Sequence, residues 1–275
     1  MSDSNAATPF SVRLQNAVAD TGAPVCVGLD PDLDRLPPSL VGTEAERVTA
    51  FCLAITESTR SLAAAYKPNL AFFEALGPDG ADVLATVCDA VRATGRLLVL
   101  DGKRGDIGNT GQRYASAQYD RLGADAATVA PYMGADSLAP FLAHAGRCAF
   151  VLVATSNPGA ADLQHLSVDE EPLYRHVARL AADTAAPLAG EAGFVVGATR
   201  PELLADLRER HPEVPFLVPG IGAQGGSAAD VLAANADGPI LINASRSILY
   251  ASSGADFAGA AAEAAHRLRD ELRGA

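Results

Sequence analysis

The amino-acid sequence predicts an α/β protein, a single (β/α)8 TIM barrel with an N-terminal capping helix. Short apolar runs alternate with stretches of helical spacing, and their ends lie roughly 30 residues apart, the length of a βα unit. Such alternation is typical of a parallel sheet covered on both faces, and eight units close into a barrel. A doubly wound open sheet is the alternative. Because no linker or composition break divides residues 1–275, one domain is the simpler prediction.

Each element of the barrel corresponds to a stretch of sequence. The eight predicted strands are "PVCVGLD" (24–30), "LAAAYKPN" (62–69), "RLLVLD" (96–101), "AATVAP" (126–131), "CAFVLVAT" (148–155), "GFVVGAT" (193–199), "PFLVPG" (215–220) and "PILINAS" (239–245). The helices between them include residues 44–60, 80–95 and 201–211. Residues 1–22 are predicted to form the helix that caps the barrel floor. Residues 156–173 are predicted to form a long loop after the fifth strand, and long loops at that end often carry function.

Composition and charge exclude several classes of protein. No apolar run approaches the roughly 18 residues that a membrane span needs, although 49% of the chain is hydrophobic. The formal net charge of −12 argues against binding to nucleic acid or to an anionic membrane surface. The first ten residues lack the features of a signal peptide, so a cytoplasmic location is expected. The cysteines form no CxxC pair, which argues against structural zinc and against disulfides.

Lysine is rare in this chain, and its positions indicate chemistry. Of the 21 basic residues, the only lysines are Lys67 and Lys103. A salt bridge or a solubilising charge could have been arginine, whereas a group that must release a proton could not. We therefore expect both lysines to act in a reaction. The alternative for Lys67 is a surface lysine whose stem packs on apolar residues.

Residues at the ends of the predicted strands form a largely polar set. In a (β/α)8 barrel the active site forms at these ends. The residues found there are Asp30, Lys67, Asp101, Lys103, Ser156, Pro219 and Arg246. The sequence therefore predicts an ionised site at the barrel mouth.

The segment "LLVLDGKRGDIGNT" (97–110) carries the strongest signal of this set. Period-two alternation places Asp101 and Lys103 on the same face of the third strand if the extended conformation persists that far. Gly105 then permits a sharp turn, after which Asp106 opens a predicted helix. Each of these charges also has an interpretation without a catalytic role. Asp101 and Lys103 could form a solvated ion pair that contributes about 0 to 1 kcal/mol to stability, and Asp106 could be a simple helix cap.

A glycine-rich turn and an arginine indicate a phosphate site. The turn "VPGIGAQGG" (218–226) lies between a strand and a helix, where backbone N–H groups suit a phosphate. By itself this signal is weak. "NASRSI" (243–248) strengthens it, because Arg246 follows the last strand and can chelate the same phosphate oxygens. Phosphate sites after strands seven and eight are a recurrent use of this barrel.

Together these motifs resemble the orotidine 5'-phosphate decarboxylase family, from Asp30 to about Ile248. The matching stretches are "GLDPD" (28–32), "AYKPNLAFFE" (65–74), the D-x-K-R-x-D-I-x-x-T pattern from Asp101 to Thr110, "TSNPG" (155–159), "PGIGAQGG" (219–226) and "SRSI" (245–248). The Asp-x-Lys-x-x-Asp core with an upstream strand-end lysine is highly specific in this context. The glycine turn is much less so.

The resemblance implies both an activity and a set of site residues. The implied activity is conversion of orotidine 5'-phosphate to UMP and CO2 in pyrimidine biosynthesis, without metal or cofactor. The implied charged network is Lys67, Asp101, Lys103 and Asp106. The implied substrate-binding residues are Asp30, Asn69, Ile107, Thr110, Ser156, Pro219, Gln224 and Arg246.

The resemblance further implies which part of the substrate these residues contact. Asp30 would bind the ribose hydroxyls, Ser156 the pyrimidine edge, and Gln224 with Arg246 the phosphate. In the family, the residues at the positions of Asp106, Ile107 and Thr110 reach into the neighbouring subunit's site. The expected assembly is therefore a homodimer with shared active sites.

The sequence departs from the commoner short form of the family. Arg104 follows the lysine, "NASRSI" (243–248) replaces the usual Gly-Arg pair, and the loop after the fifth strand is long, all of which resemble the longer bacterial branch. Two other functions stay open. One is a related barrel enzyme that acts on sugar phosphates with Mg²⁺, although Lys67 would repel the metal. The other is a non-catalytic barrel that binds phosphosugars.

Overall fold

Eight parallel strands close into a barrel in the computed structural model, which describes residues 7–221 and 225–274. The barrel strands are β1 (Val25–Leu29), β2 (Ala65–Pro68), β3 (Leu97–Arg104), β4 (Ala126–Val129), β5 (Cys148–Ala154), β8 (Glu191–Val196), β9 (Phe216–Pro219) and β10 (Ile240–Ala244). Strands that follow one another in the barrel are hydrogen-bonded neighbours, and β10 closes against β1. All eight predicted strands are confirmed, and closure rules out the open sheet.

Helices connect the barrel strands and cover the outside of the barrel, apart from α1, which precedes β1 and lies on the barrel floor. They are α1 (Phe10–Thr21), α2 (Glu44–Thr59), α3 (Leu70–Glu74), α4 (Gly80–Ala93), α5 (Gly108–Ser116), α6 (Ala135–Leu142), α7 (Leu173–Ala185), α8 (Pro201–Arg210), α9 (Ala228–Asn235), α10 (Arg246–Leu249) and α11 (Phe257–Gly274). The helices predicted at 44–60, 80–95 and 201–211 are confirmed as α2, α4 and α8. Among the described residues, no helix combines the length and apolar character that crossing a membrane requires.

The apolar strands bury both faces because the barrel has an interior and a helical coat. In β3, Leu98 and Leu100 belong to the apolar cluster that includes the helices, whereas Leu97 and Val99 belong to the cluster that fills the barrel interior. Side chains of a strand alternate between its two faces, so Asp101 continues the inward-facing set. The alternation thus directs a carboxylate into the barrel mouth.

Helix α1 closes the floor of the barrel, as predicted. Phe10 and Leu14 are buried among the interior side chains, and the Phe10 ring packs edge-to-face on Phe150 with ring centroids 5.6 Å apart. The predicted helix covered residues 1–22, but residues 1–6 lie outside the described residues. Assignment of the whole of 1–275 to one domain stays a prediction.

The segment between β3 and α5 differs from its prediction. Asp106 was expected to open the helix, and a plain helix cap was the alternative to a role in the site. Helix α5 instead begins at Gly108 with Ile107 in the capping position, while Asp106 Oδ1 accepts a hydrogen bond from Ile107 N at 2.8 Å. The helix-cap interpretation of Asp106 is therefore wrong, because Ile107 occupies the capping position and the Asp106 carboxylate binds the N–H of Ile107, not one within the helix.

The long loop after β5 is confirmed and has structure of its own. It contains a 3₁₀ turn (Pro158–Asp162) and a hairpin of two short strands, β6 (Ser167–Val168) and β7 (Glu171–Pro172). Gln164 ties the loop to the strand end, since its Oε1 accepts from Thr155 N at 2.8 Å and its Nε2 donates to Thr155 Oγ1 at 2.8 Å. The loop is thereby fastened beside the barrel mouth.

Candidate active site

Asp101 lies at the centre of a charged cluster at the carboxyl ends of the strands. Lys67 Nζ donates to Asp101 Oδ2 at 2.7 Å, and Lys103 Nζ donates to Asp101 Oδ1 at 2.6 Å. The side chains of Lys67 and Asp101 are 4% and 11% exposed, whereas that of Lys103 is 51% exposed. One ammonium is therefore enclosed with its counterion, and the other reaches the open mouth of the barrel.

Burial and charge act in opposite directions on the pKa values of this cluster. Burial would lower the pKa of Lys67, but the charges of Asp101 and Asp30 outweigh it and raise this pKa above its usual value. Burial would raise the pKa of Asp101, but the ammonium groups of Lys67 and Lys103 hold this pKa well below its usual range. Lys67 and Asp101 are therefore both ionised near neutral pH.

A bulge at the end of β3 sets the direction of Lys103. Leu100 pairs with Ala127 and Arg104 pairs with Val129, so β3 is longer than β4 between these two pairs. Within the bulge, Lys103 adopts a left-handed backbone with φ of 47°. Such a conformation costs a residue with a side chain about 1 to 3 kcal/mol and must be held by its surroundings. The condition set in the sequence analysis, an extended strand as far as Lys103, is therefore not met, although the side chains of Asp101 and Lys103 do meet.

Thr128 of β4 holds the bulge from the neighbouring strand. Lys103 N donates to Thr128 Oγ1 at 2.9 Å, and the same hydroxyl donates to Asp101 Oδ1 at 2.9 Å. Thr128 is 1% exposed. The sequence prediction did not include Thr128. The sequence feature that could have identified Thr128 is its position as the one hydroxyl-bearing residue of "AAT" within the otherwise apolar predicted strand "AATVAP" (126–131).

Gly105 allows the backbone after β3 to lie close to the backbone after β4. A Cβ atom at Gly105 would lie 2.7 Å from the carbonyl oxygen of Ala130. Ala130 N in turn donates to Arg104 O at 2.9 Å. Gly105 is not among the described residues with positive φ, so the close approach to Ala130 is the observed constraint on this position.

Asp30 follows β1 and presents an acceptor at the edge of the cluster. Gly28 pairs with Lys67 across β1 and β2, and the Asp30 carboxylate helps to raise the pKa of Lys67. Asp30 Oδ1 is buried and has no hydrogen-bond partner among the described residues. The hydroxyl of Tyr250, which the sequence prediction missed, donates to Asp30 O at 2.7 Å and accepts from Asp32 N at 2.6 Å. A buried, unpartnered carboxylate oxygen is a candidate acceptor for a ligand hydroxyl.

Asn69 and Ser156 also lie at strand ends. The Asn69 backbone pairs with Asp101, and its Oδ1 caps α3 by accepting from Ala71 N at 3.3 Å. Ser156 packs against the end of β8, because a Cβ atom at Gly197 would lie 2.7 Å from Ser156 Cβ. Asn69 is therefore directly beside the charged cluster, and Ser156 lies at the mouth on the β5 side.

Asp106, Ile107 and Thr110 lie on the rim, outside the cluster of their own chain. Asp106 forms no ion pair with any residue in the described ranges, and the cluster ion pairs join Asp101 to the two lysines. Ile107 is 48% exposed, and Thr110 is also exposed. One chain thus brings together three of the four predicted charged groups and leaves Asp106 apart.

The predicted phosphate residues lie at neighbouring strand ends. Pro219 ends β9 and pairs with Asn243 of β10, and Arg246 begins α10 shortly after β10. Arg246 is exposed and makes no ion pair with the residues that the structure describes. A guanidinium without a carboxylate partner is available to an anion. Gln224, the other predicted phosphate ligand, lies outside the described residues.

An apolar groove is lined by β5, α7 and the segment after β4, and none of the residues of the charged cluster lines it. Its volume is about 710 Å³, and Tyr132, Leu163 and Tyr174 are among the side chains that line it. Around the groove and the adjacent rim, Ile107 is 48%, Tyr132 85%, Met133 50% and Leu163 44% exposed. Exposed apolar patches of this kind are typical of protein interfaces. Across residues 7–221 and 225–274, no group of three histidine, cysteine, aspartate or glutamate side chains could hold a metal ion.

A family model describes most of the chain. The model of the orotidine 5'-phosphate decarboxylase / HUMPS family matches residues 23–262. Among similar proteins, orotidine 5'-phosphate decarboxylase from Roseiflexus castenholzii is 46% identical over 270 residues, covering 97% of this chain and 98% of the relative. The enzyme of the same name from Herpetosiphon aurantiacus is 48% identical over 257 residues, covering 93% and 95%.

Solved structures agree with these sequence relatives. Leishmania donovani OMP decarboxylase superposes with a TM-score of 0.82 at 39% identity, covering 98% of this chain and all of that chain (100%). Orotidine 5'-phosphate decarboxylase from Pyrococcus horikoshii superposes with a TM-score of 0.63 at 25% identity, covering 91% and 100%. The similarity therefore extends over the whole barrel.

Proposed function

The chain belongs to the orotidine 5'-phosphate decarboxylase / HUMPS family and converts orotidine 5'-phosphate to UMP and CO2, and we propose that its Lys67–Asp101–Lys103 cluster carries out this reaction. The observation that supports this proposal most directly is the contact of both lysines with one carboxylate, at 2.7 and 2.6 Å.

The reaction needs a positive charge held beside a ring carbon. Loss of CO2 leaves an electron pair in the plane of the pyrimidine ring, orthogonal to the π system, where the ring carbonyls do not delocalise it. Fixed charges that face the developing carbanion are therefore the main source of stabilisation. A side chain that can also release a proton completes the reaction by protonating the ring carbon.

Lys103 meets both requirements. Its ammonium is 51% exposed at the barrel mouth, where a substrate would lie, and is held at 2.6 Å by Asp101 Oδ1. In the proposed mechanism the C–CO2 bond breaks, the electron pair stays on the ring carbon, and that carbon takes a proton from Lys103. The neutral amine then regains a proton from water. Asp101 aims the ammonium and places negative charge near the departing carboxylate.

Lys67 keeps Asp101 ionised and in place. Removal of two charges from water costs several kcal/mol each unless they are paired, and Lys67 is the buried partner at 2.7 Å. We further propose that Asp106 of the neighbouring subunit completes an alternating set of two positive and two negative charges. The lack of an ion pair for Asp106 within the described part of its own chain supports this assignment.

The remaining predicted residues are proposed to bind the rest of the nucleotide. Asp30, with its unpartnered carboxylate oxygen, would accept hydrogen bonds from the ribose hydroxyls. Asn69 and Ser156 would contact the base, and Pro219, Gln224 and Arg246 would surround the phosphate. Difficult reactions require up to ~23 kcal/mol of transition-state stabilisation, more than one charged group supplies. Binding of the remote phosphate contributes by ordering the closed site.

A homodimer with shared active sites is part of the proposal. Ile107 is 48% exposed on the rim after β3, next to Asp106 and near Thr110 in sequence. Burial of such a side chain against a second copy would carry Asp106 and Thr110 into the neighbouring site. A cytoplasmic location is also proposed, and it is supported by the four cysteines, all of which are free and buried thiols.

The charged cluster does not favour a magnesium-dependent reaction on a sugar phosphate. Mg²⁺ binds through carboxylates and waters at octahedral geometry. Here Asp101 directs one oxygen to Lys67 and the other to Lys103, so both acceptor positions face cations. A non-catalytic phosphosugar-binding barrel would not need an enclosed ion pair aimed at the mouth. These contacts support the cofactor-free mechanism.

The test follows the loss of orotidine 5'-phosphate absorbance with purified, chelator-treated protein. We expect full turnover to UMP, unchanged by added Mg²⁺. Binding of orotidine 5'-phosphate without product formation would favour the non-catalytic alternative. Activity that is lost with EDTA and restored by Mg²⁺ would contradict the proposed mechanism.

A further inference from the structure

We propose that Thr128 is a positioning residue for the decarboxylation. Its hydroxyl binds the Lys103 backbone and the Asp101 carboxylate, and through these two contacts it fixes the reactive ammonium of Lys103. The inference rests on the proposed function of the charged cluster. Thr128 itself is buried at 1% exposure on β4 and does not need to touch the substrate. Its hydroxyl is hydrogen-bonded to both members of the Asp101–Lys103 pair.

Chemistry fixes the direction of both hydrogen bonds. The Lys103 backbone N–H can only donate, so Thr128 Oγ1 accepts from it at 2.9 Å. The ionised Asp101 carboxylate can only accept, so the hydroxyl proton of Thr128 goes to Asp101 Oδ1 at 2.9 Å. The same Oδ1 receives the Lys103 ammonium at 2.6 Å. The three groups therefore form a closed loop in which the hydroxyl has one orientation.

The bulge in β3 explains why a side chain is needed here. Between the pairs Leu100 with Ala127 and Arg104 with Val129, the strand register shifts. The backbone N–H of Lys103 binds a threonine hydroxyl where a regular strand would use a backbone carbonyl. A left-handed residue with a side chain persists only when its surroundings hold it. Thr128 supplies that restraint from the neighbouring strand.

The position of Thr128 predicts an effect on turnover rather than on nucleotide binding. β4 lies on the far side of the barrel from β9 and β10, which carry Pro219 and precede Arg246. Loss of the Thr128 hydroxyl would leave the phosphate residues in place. It would free the Asp101 carboxylate to rotate and would release the Lys103 backbone, so the ammonium would be misplaced at the ring carbon. Misplacement of a reacting group by about 1 Å can cost about 100-fold in rate.

The experiment compares Thr128→Val, which keeps the shape and removes the hydroxyl, with Thr128→Ser, which keeps the hydroxyl. We expect T128V to lower kcat for orotidine 5'-phosphate about 10- to 100-fold, with KM and the Kd of UMP changed less than about threefold. T128S should keep kcat within about threefold of wild type. The matched control is Thr56→Val, because Thr56 is buried at 2% exposure on α2 and its hydroxyl has no partner among the described residues. T56V should leave kcat unchanged.

Three outcomes would overturn the inference. One is a T128V enzyme with wild-type kcat. Another is an equal loss in T128S and T128V, which would assign the effect to packing. A third is a loss of UMP affinity that matches the loss of kcat.

If T128V does not fold, Thr128→Cys replaces it with the same expectation, since a thiol is a much weaker hydrogen-bonding group. An inactive wild-type protein would overturn the proposed function as well, whereas wild-type kcat in T128V would overturn the positioning role alone.

Discussion

Lys67 and Lys103, the only two lysines of the chain, bind the two different oxygens of the Asp101 carboxylate, at 2.7 and 2.6 Å. A single carboxylate therefore orients both ammonium groups, one enclosed and one facing the barrel mouth.

Replacement of Lys103 by arginine should abolish most of the activity. Lys103→Arg keeps a positive charge but removes the transferable proton and the compact ammonium. We expect kcat to fall about 10²- to 10⁴-fold, the usual contribution of a positioned proton donor. Steady-state kinetics with orotidine 5'-phosphate measure this effect, and UMP titration serves as the control for an intact site. Near-wild-type activity in K103R would contradict the proton-donor role.

Replacement of Arg246 by alanine should lower catalytic efficiency without touching the reacting atoms. Arg246 is exposed and has no ion-pair partner in the described ranges, so the thermal midpoint should not change. We expect kcat/KM to fall about 10- to 100-fold through loss of charge-assisted phosphate contacts. Arg267→Ala on α11 is the matched control, since Arg267 is 69% exposed. An unchanged kcat/KM in R246A would refute the phosphate assignment.

Asp101 should stabilise the fold in a pH-dependent way. Because its pKa in the folded protein lies well below the usual value of 3.8, the carboxylate stabilises the fold above about pH 4, and this contribution is lost as the pH falls further. Asp101→Asn leaves Lys67 buried without its partner, and we expect a loss of about 3 to 5 kcal/mol at pH 7.

Urea unfolding of wild type and D101N between pH 7 and about pH 3 measures this dependence. The difference in free energy of unfolding should narrow toward the acid end. Asp89→Asn is the matched control, because Asp89 is 74% exposed in its pair with Arg92 and such pairs contribute about 0 to 1 kcal/mol. A difference that stays constant with pH would show that the Asp101 charge is not its source.

Phe10 should be essential to the barrel floor. Phe10→Ala removes a fully buried ring (0% exposed) that packs on Phe150, and we expect a loss of about 3 to 5 kcal/mol in the free energy of unfolding. Val12→Ala in the same helix is the control, because Val12 is 41% exposed and should change stability by less than about 0.5 kcal/mol. Equal effects of the two substitutions would argue against α1 as the floor of the core.

Ile107 should mediate assembly of the proposed homodimer. Ile107→Asp places a charge in an apolar contact, and we expect dissociation to monomers in sedimentation velocity together with loss of turnover, since Asp106 would no longer reach the neighbouring site. Val12→Asp, on the floor of the barrel, should leave both assembly and turnover unchanged. A monomeric I107D protein with wild-type kcat would contradict the shared active site.

The positions of the strands and most of the site follow from local sequence. Parallel strands buried on both faces are near-continuous apolar runs, so their ends are visible in the sequence as the first polar residues. The carboxyl ends of all barrel strands meet at one mouth. The strand ends alone therefore place Lys67 and Asp101 together, and the rarity of lysine identifies Lys67 and Lys103 as candidate catalytic groups.

Other features depend on contacts between distant residues. The left-handed backbone of Lys103, its hold by Thr128, and the close approach of Gly105 to Ala130 all arise from the register shift between β3 and β4. Thr128 lies 25 residues from Lys103 in sequence, and no local pattern records which strand end it faces. Local periodicity fixes which face a side chain takes, so the amino-acid sequence alone determined the alternating strands and helices and the set of charges at the strand ends, whereas closure of the barrel is a property of the tertiary structure. The pairing of two neighbouring strands fixes how far each strand advances, so only the tertiary structure decided how Lys103 is aimed and held.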